Sequence, residues 1–238
     1  MDYRELKIDI YADGADIGKM KEAYDRGFVK GFTTNPTLMK KAGVKDYKTF
    51  AREAAQAIKD LPLSFEVFSD DHETMEKEAR VLSAFGENVY VKIPVTNTKG
   101  EHSTELIRKL SKDGLKINVT AVFTVDQARE VLDALDPKVP SIVSIFAGRI
   151  TNAGIDAEPI IKEVSDMCRK HGNAKLLWAS SRELFNVIQA QRSGADIITL
   201  TDDLIRALPT LGKDLYEYSL ETVKMFYNDG QALGYRIL

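Results

Sequence analysis

Lys92 lies inside Asn88-Val89-Tyr90-Val91-Lys92-Ile93-Pro94, a run that otherwise reads as a buried β-strand. An ammonium group is costly to take out of water. Burial favours the neutral amine, which can attack a carbonyl carbon. The position therefore suggests Schiff-base chemistry. The plainer alternative is a strand-end lysine whose head reaches solvent.

Polar residues recur at the ends of other apolar runs. Asp13 closes the first. Thr33, Thr34 and Asn35 close the second, Ser64 and Glu66 lie in the third, and Asn118 and Thr120 lie in the fifth. Ser144 lies in the sixth with Phe146 and Arg149 just beyond, and Ser180 and Arg182 follow the seventh. Strand side chains alternate between faces, so Ser64 shares a face with Glu66, Asn118 with Thr120, and Tyr90 with Lys92 and Pro94. Each residue alone has a simpler reading. Asp13 or Ser180 can cap a helix, Asn35-Pro36 can be a turn, and Arg149 can be a solvated charge. Their gathering at the same ends of successive strands favours one shared cavity. An amine, two carboxylates (Asp13 and Glu66) and a hydroxyl (Thr120) in one cavity suit carbinolamine formation and proton shuttling on a ketone. Arg149, Arg182, Ser180 and backbone N–H groups at a helix start suit a phosphate.

The elements that must position these groups follow from periodicity. Short β-branched runs occur at 7–12, 31–34, 63–68, 88–94, 116–122, 141–146, 175–179 and 196–200. Between them lie amphipathic stretches at 17–24, 47–59, 72–84, 103–112, 125–135, 157–171, 182–192 and 203–207, and a final helix is expected at 211–227. Strands alternating with helices imply a parallel sheet, and eight such units predict an α/β protein of the (β/α)8 TIM-barrel class with an extra C-terminal helix. A doubly wound open sheet is the main rival, but no Gly-x-Gly-x-x-Gly follows the first strand. With no linker-like tract, residues 1–238 read as a single domain.

Composition bounds the function. The 238 residues are 44% hydrophobic and 29% charged, with a formal net charge of −3, which is ordinary for a soluble protein. There is no Lys/Arg-rich block, so no nucleic-acid partner is expected. Cys168 is the single cysteine, and with Val164 and Met167 it reads as the apolar side of a helix. His72, His102 and His171 form no His-x-x-x-His pair, and neither a metal nor another cofactor is expected. No apolar run is long enough to span a membrane, and the charged start at Met1 to Lys7 lacks a signal core, so a cytoplasmic location is expected.

The motifs Ala12-Asp13-Gly14-Ala15-Asp16, Thr33-Thr34-Asn35-Pro36-Thr37, Val91-Lys92-Ile93-Pro94, Asn118-Val119-Thr120, Phe146-Ala147-Gly148-Arg149 and Ala179-Ser180-Ser181-Arg182 stand in an order and spacing that resemble one family. The chain resembles the transaldolases, and especially their short members related to fructose-6-phosphate aldolase, from about residue 11 to about residue 208. The resemblance implies a lysine Schiff base on Lys92, with Asp13 as proton acceptor and Glu66 with Thr120 holding a proton-shuttling water. It implies dihydroxyacetone binding by Asn35, Asn118 and Ser144 beside Thr34, and phosphate binding by Arg149, Ser180 and Arg182. Glu66 and Phe146 match the transferase branch, whereas the aldolase branch carries Gln and Tyr there. The implied activity is transfer of a dihydroxyacetone unit from sedoheptulose 7-phosphate or fructose 6-phosphate to an aldose phosphate, with the pentose phosphate pathway as the default setting. The alternatives are a lyase releasing dihydroxyacetone and a barrel that binds sugar phosphates without catalysis. Short members often form homo-oligomers, pentamers or decamers, with the last helix on a neighbour. The chain departs from the family in Thr151-Asn152, where an acidic residue is frequent, and in Thr201-Asp202-Asp203 after the last strand.

Overall fold

Runs buried on both faces become the strands of a closed ring, as expected for parallel sheets covered by helices. The computed structural model describes residues 3–237. The strands are β1 (Asp9–Asp13), β2 (Gly31–Thr33), β3 (Leu63–Glu66), β4 (Val89–Pro94), β5 (Ile117–Val122), β6 (Ser141–Ile145), β7 (Ala174–Trp178) and β8 (Ile197–Thr201). They pair in chain order and all in parallel, and β8 returns to β1, which closes the barrel. The eight-unit expectation therefore holds, and the open-sheet rival falls.

The helices are α1 (Ile17–Asp25), α2 (Pro36–Ala42), α3 (Tyr47–Ala57), α4 (His72–Ser83), α5 (Thr104–Lys112), α6 (Val125–Ala134), α7 (Ala147–Asn152), α8 (Glu158–His171), α9 (Phe185–Ser193), α10 (Asp202–Ala207) and α11 (Leu215–Leu233). Asp16, Asn35, Asp46, Asp71 and Thr124 start their helices by accepting a backbone N–H three residues on. Asn35-Pro36 is thus a helix entry, with proline at the first helical position. Asp13 is not the cap of α1, since Asp16 fills that role. Ser180 caps no helix either. Its φ is +66°, α9 begins at Phe185, and Asn186 Oδ1 accepts from the Arg182 and Glu183 amides instead.

Two apolar layers follow from strand parity. Val89, Val91 and Ile93 point outward into the large core between strands and helices, which also holds Cys168. Tyr90 points inward and packs with Tyr11, Ile142, Leu177 and Ile197 as the barrel floor. Burial pushes the Cys168 thiol up to about 12, in keeping with a core role. Above the floor the lining turns polar: Thr33, Ser64, Lys92, Asn118, Thr120, Ser144 and Thr199 are all buried.

The last helix differs from this pattern. α11 has no buried residue, and Leu215, Tyr216, Val223, Phe226 and Tyr227 are largely exposed. Leu238, the final residue of the tail, lies outside the described residues, as do Met1 and Asp2. Among the described residues no helix is long and apolar enough to cross a membrane.

Candidate active site

Register places the chemistry. In the parallel ladder Glu66 on β3 stands beside Lys92 on β4, and Lys92 stands beside Asn118 on β5. All three side chains enter the barrel near its C-terminal rim. The Lys92 side chain is only 7% exposed, so it does not snorkel. Its Nζ lies 3.0 Å from Glu66 Oε2 and donates to Thr34 O at 2.7 Å. The ammonium is therefore held by one carboxylate and one carbonyl, which offset its desolvation.

Asp13, at the end of β1, joins the polar cluster from the far side of β2. Thr33 Oγ1 donates to Asp13 Oδ1 at 2.8 Å and contacts Thr199 Oγ1 at 2.5 Å. Burial raises the Asp13 carboxyl above the usual carboxylate range. The nearby Lys92 charge and the Thr33 hydroxyl pull it down in part, and Glu66 pushes it up again. Asp13 thus senses both members of the Lys92–Glu66 pair.

Asn118 and Ser144 form the next tier. Ser144 Oγ donates to Asn118 Oδ1 at 2.7 Å, and Asn118 Nδ2 donates to Ser64 Oγ at 3.0 Å. Thr120 follows on β5, where the ladder slips: Val119 pairs with Val143, and the next match is Val122 with Ile145. Thr120 and Ala121 together oppose Ser144, a bulge, and Ala121 takes φ +58° to make it. The bulge lets Thr120 face inward while Val122 returns to the outer core. Thr120 Oγ1 is buried and has no hydrogen-bond partner among the described residues. Thr34 spends its hydroxyl on Ser64 O, and Asn35 spends its side-chain oxygen on Leu38 N.

The phosphate candidates sit on two adjoining loops. Phe146 begins α7 and packs against the barrel floor, with Arg149 Cζ 5.9 Å from its ring centre. Gly148 N donates to Ala179 O at 3.3 Å, and Gly148 approaches Ser180 so closely that a Cβ there would lie 1.7 Å from Ser180 O. Only glycine allows that approach, and it brings the residue just before Arg149 against Ser180 and the Arg182 side chain. Arg149 and Arg182 are exposed, and neither pairs with a carboxylate among the described residues. Most other arginines do: Arg26, Arg80, Arg108, Arg129, Arg169, Arg192 and Arg206 each meet an acid. Asp202 and Asp203 fall in the first turn of α10, where Asp202 pairs with Lys19 and Arg206.

The structure also adds residues that sequence reasoning passed over. Thr199 holds Thr33, and parity along Ile197-Ile198-Thr199-Leu200-Thr201 points it inward. Tyr47 on α3 donates to Glu66 O at 2.7 Å and stacks on Phe68 at 4.4 Å between ring centres. Burial and then the Glu66 charge push the Tyr47 phenol far above its usual range. Nothing in the sequence marks Tyr47, because the contact joins separate elements. A cavity of about 660 Å³ between α1, α2 and α10 reaches Asp13 but not Lys92 or Glu66, so it flanks the barrel mouth.

Comparison with known proteins identifies the family. Residues 10–237 match the family model described as Transaldolase/Fructose-6-phosphate aldolase. A protein of Methanococcus maripaludis named "Probable transaldolase" is 39% identical over 202 residues, covering 84% of this chain and 89% of its own. One of the same name from Thermoplasma volcanium is 36% identical over 232 residues, covering 95% of this chain and all (100%) of its own. A solved structure from Sinorhizobium meliloti superposes with a TM-score of 0.59 at 10% identity, over 87% of this chain and 55% of that one, a likeness of fold alone. A buried lysine in register with a glutamate, inside a ring whose sequence matches one family along nearly its whole length, leads to one conclusion: this chain belongs to the transaldolase/fructose-6-phosphate aldolase family.

Proposed function

We propose that the protein is a class I transaldolase that moves a dihydroxyacetone unit from a ketose phosphate, fructose 6-phosphate or sedoheptulose 7-phosphate, to an aldose phosphate. The observation that carries this reading is the buried Lys92 Nζ, 3.0 Å from Glu66 and electrostatically coupled to Asp13. Lys92 passes a proton toward Glu66 and attacks the ketone at C2. Loss of water, relayed by Glu66 and Thr120, leaves an imine. Asp13 takes the C4 hydroxyl proton, the C3–C4 bond breaks, and its electron pair is held as an enamine on Lys92. The aldehyde phosphate leaves, an acceptor aldehyde is attacked by the enamine, and hydrolysis frees the new ketose. Asn35, Asn118 and Ser144, with Thr34 nearby, hold the dihydroxyacetone hydroxyls. Arg149, Arg182 and Ser180 hold the phosphate, a role supported by two arginines that lack an acidic partner.

Borohydride reduction with fructose 6-phosphate, followed by peptide mass analysis, tests the mechanism. The expected adduct lies on Lys92, and an adduct elsewhere, or none, refutes it. The transferase reading rests on Glu66 and Phe146, since Phe146 has no hydroxyl with which to protonate the enamine. Consumption of fructose 6-phosphate without erythrose 4-phosphate would favour the lyase instead. The exposed apolar surface of α11 supports a homo-oligomer, a pentamer or decamer, in which that helix covers a neighbour. Light scattering of the intact chain and of a chain ending at Asp214 distinguishes this from a monomer.

A further inference from the structure

Asn152 closes α7 and reaches toward the phosphate loops. Its side-chain amide lies 3.1 Å from Arg182 Nε and 3.2 Å from Gly148 O. One amide orientation satisfies both: the nitrogen donates to the carbonyl and the oxygen accepts from the guanidinium. Thr151 Oγ1 also donates to Gly148 O, at 3.1 Å, so this carbonyl is a fixed anchor for the amide. The Arg182 backbone is held separately by Asn186 at 2.8 Å. Backbone and Nε are thus both tied down, and the two terminal nitrogens of the guanidinium are left for a ligand.

We propose that Asn152 is a positioning residue that sets specificity for phosphorylated substrates: it aims Arg182 through Nε while leaving its full charge unneutralised. A carboxylate at this position could still accept from Nε, but it would neutralise the cation and has no N–H to donate to Gly148 O. An alanine would leave the charge free but unaimed. The amide is the one arrangement of the three that supplies both aim and charge. This inference rests on the phosphate role given above to Arg149 and Arg182.

The test compares Asn152→Asp and Asn152→Ala with the wild-type protein, using fructose 6-phosphate and unphosphorylated fructose as donors at one fixed concentration of an unphosphorylated aldehyde acceptor, glyceraldehyde, and inorganic phosphate as an inhibitor. Asn152 is exposed at a helix end, so both variants should fold. The expected result is that the KM advantage of fructose 6-phosphate over fructose narrows about tenfold in Asn152→Asp and a few-fold in Asn152→Ala. Inhibition by phosphate should weaken in the same order, and high salt should shrink the gap between Asn152→Asp and wild type. An unaltered KM ratio in Asn152→Asp, or an equal loss on both sugars, overturns the inference while the phosphate site stands. A wild-type protein that treats the two sugars alike refutes the phosphate site and this inference together.

Discussion

The Lys92–Glu66 pair can be tested as an energy as well as a mechanism. At 3.0 Å, an effective dielectric of about 20 gives an attraction of roughly 5–6 kcal/mol. The pair faces the barrel mouth, with side chains 7% and 15% exposed, and Thr34 O shares the ammonium. Solvent and that second acceptor reduce the measurable coupling to about 2–3 kcal/mol. Glu66→Gln leaves a buried ammonium without its counter-charge, and Lys92→Met leaves a buried carboxylate without its own. Each single variant should lose about 2–3 kcal/mol, or roughly 5–10 °C in Tm for a chain of this size. The double variant should lose about as much as either single variant, roughly 2–3 kcal/mol instead of the sum of the two losses, because neither charge remains to be left unpaired. Urea unfolding of all four proteins at one fixed protomer concentration measures the cycle. A coupling under about 0.5 kcal/mol would mean that the two groups do not share a proton-exchanging contact, and the proposed relay between them would fail.

Further predictions follow from neighbouring groups. Asp13 must be ionised to accept a proton, and burial raises its pKa, so kcat/KM should fall on the acid side at a pH above the ordinary carboxylate range. The sign for stability is the reverse of that for activity: a raised folded-state pKa means that Asp13 opposes folding when charged, and this opposition fades as pH falls through that value. Asp13→Asn should therefore abolish turnover and yet raise Tm at neutral pH, with the gain shrinking as the buffer is acidified; an unchanged Tm at pH 7 counters this. Gly148→Ala forces Ser180 O away from a Cβ that would lie 1.7 Å from it. It should cost about 1–3 kcal/mol and raise KM for phosphorylated ketoses, and a variant with wild-type KM would dissociate this contact from the phosphate site. Tyr47→Phe removes the 2.7 Å donor to Glu66 O. It should lower stability by about 1 kcal/mol and lower kcat with little change in KM, while equal kcat would show that Tyr47 does not position Glu66.

Much of this architecture was readable before coordinates because the strands carry it. Val89, Val91 and Ile93 announce an outward apolar face, so Tyr90 and Lys92 must point inward, and they do. The same parity placed Ser64, Glu66, Asn118 and Thr120. Shorter elements were harder. α2 and α7 span seven and six residues, too few for a periodic stripe, and Asn35-Pro36 fits a turn as well as a helix entry. α11 runs from Leu215 to Leu233 where 211–227 was expected, although Asp214 before it and Gly234 after it are ordinary boundary residues. Contacts between distant segments had no local signature. Tyr47 with Glu66, Thr199 with Thr33 and Asn152 with Arg182 exist only because the ring brings far-apart segments together.

The seam of that ring has its own consequence. β1 meets β8 along five residue pairs, from Asp9 with Ile197 to Asp13 with Thr201, so Asp13 on the first strand is stationed by the last. Thr199 on β8 braces Thr33, which in turn grips Asp13. During refolding, helical signal can return while this longest-range joint is still open, since distant pairings form late. Regained turnover should therefore trail regained circular dichroism, and the proposed activity would serve as the chain's own gauge of when the circle has shut.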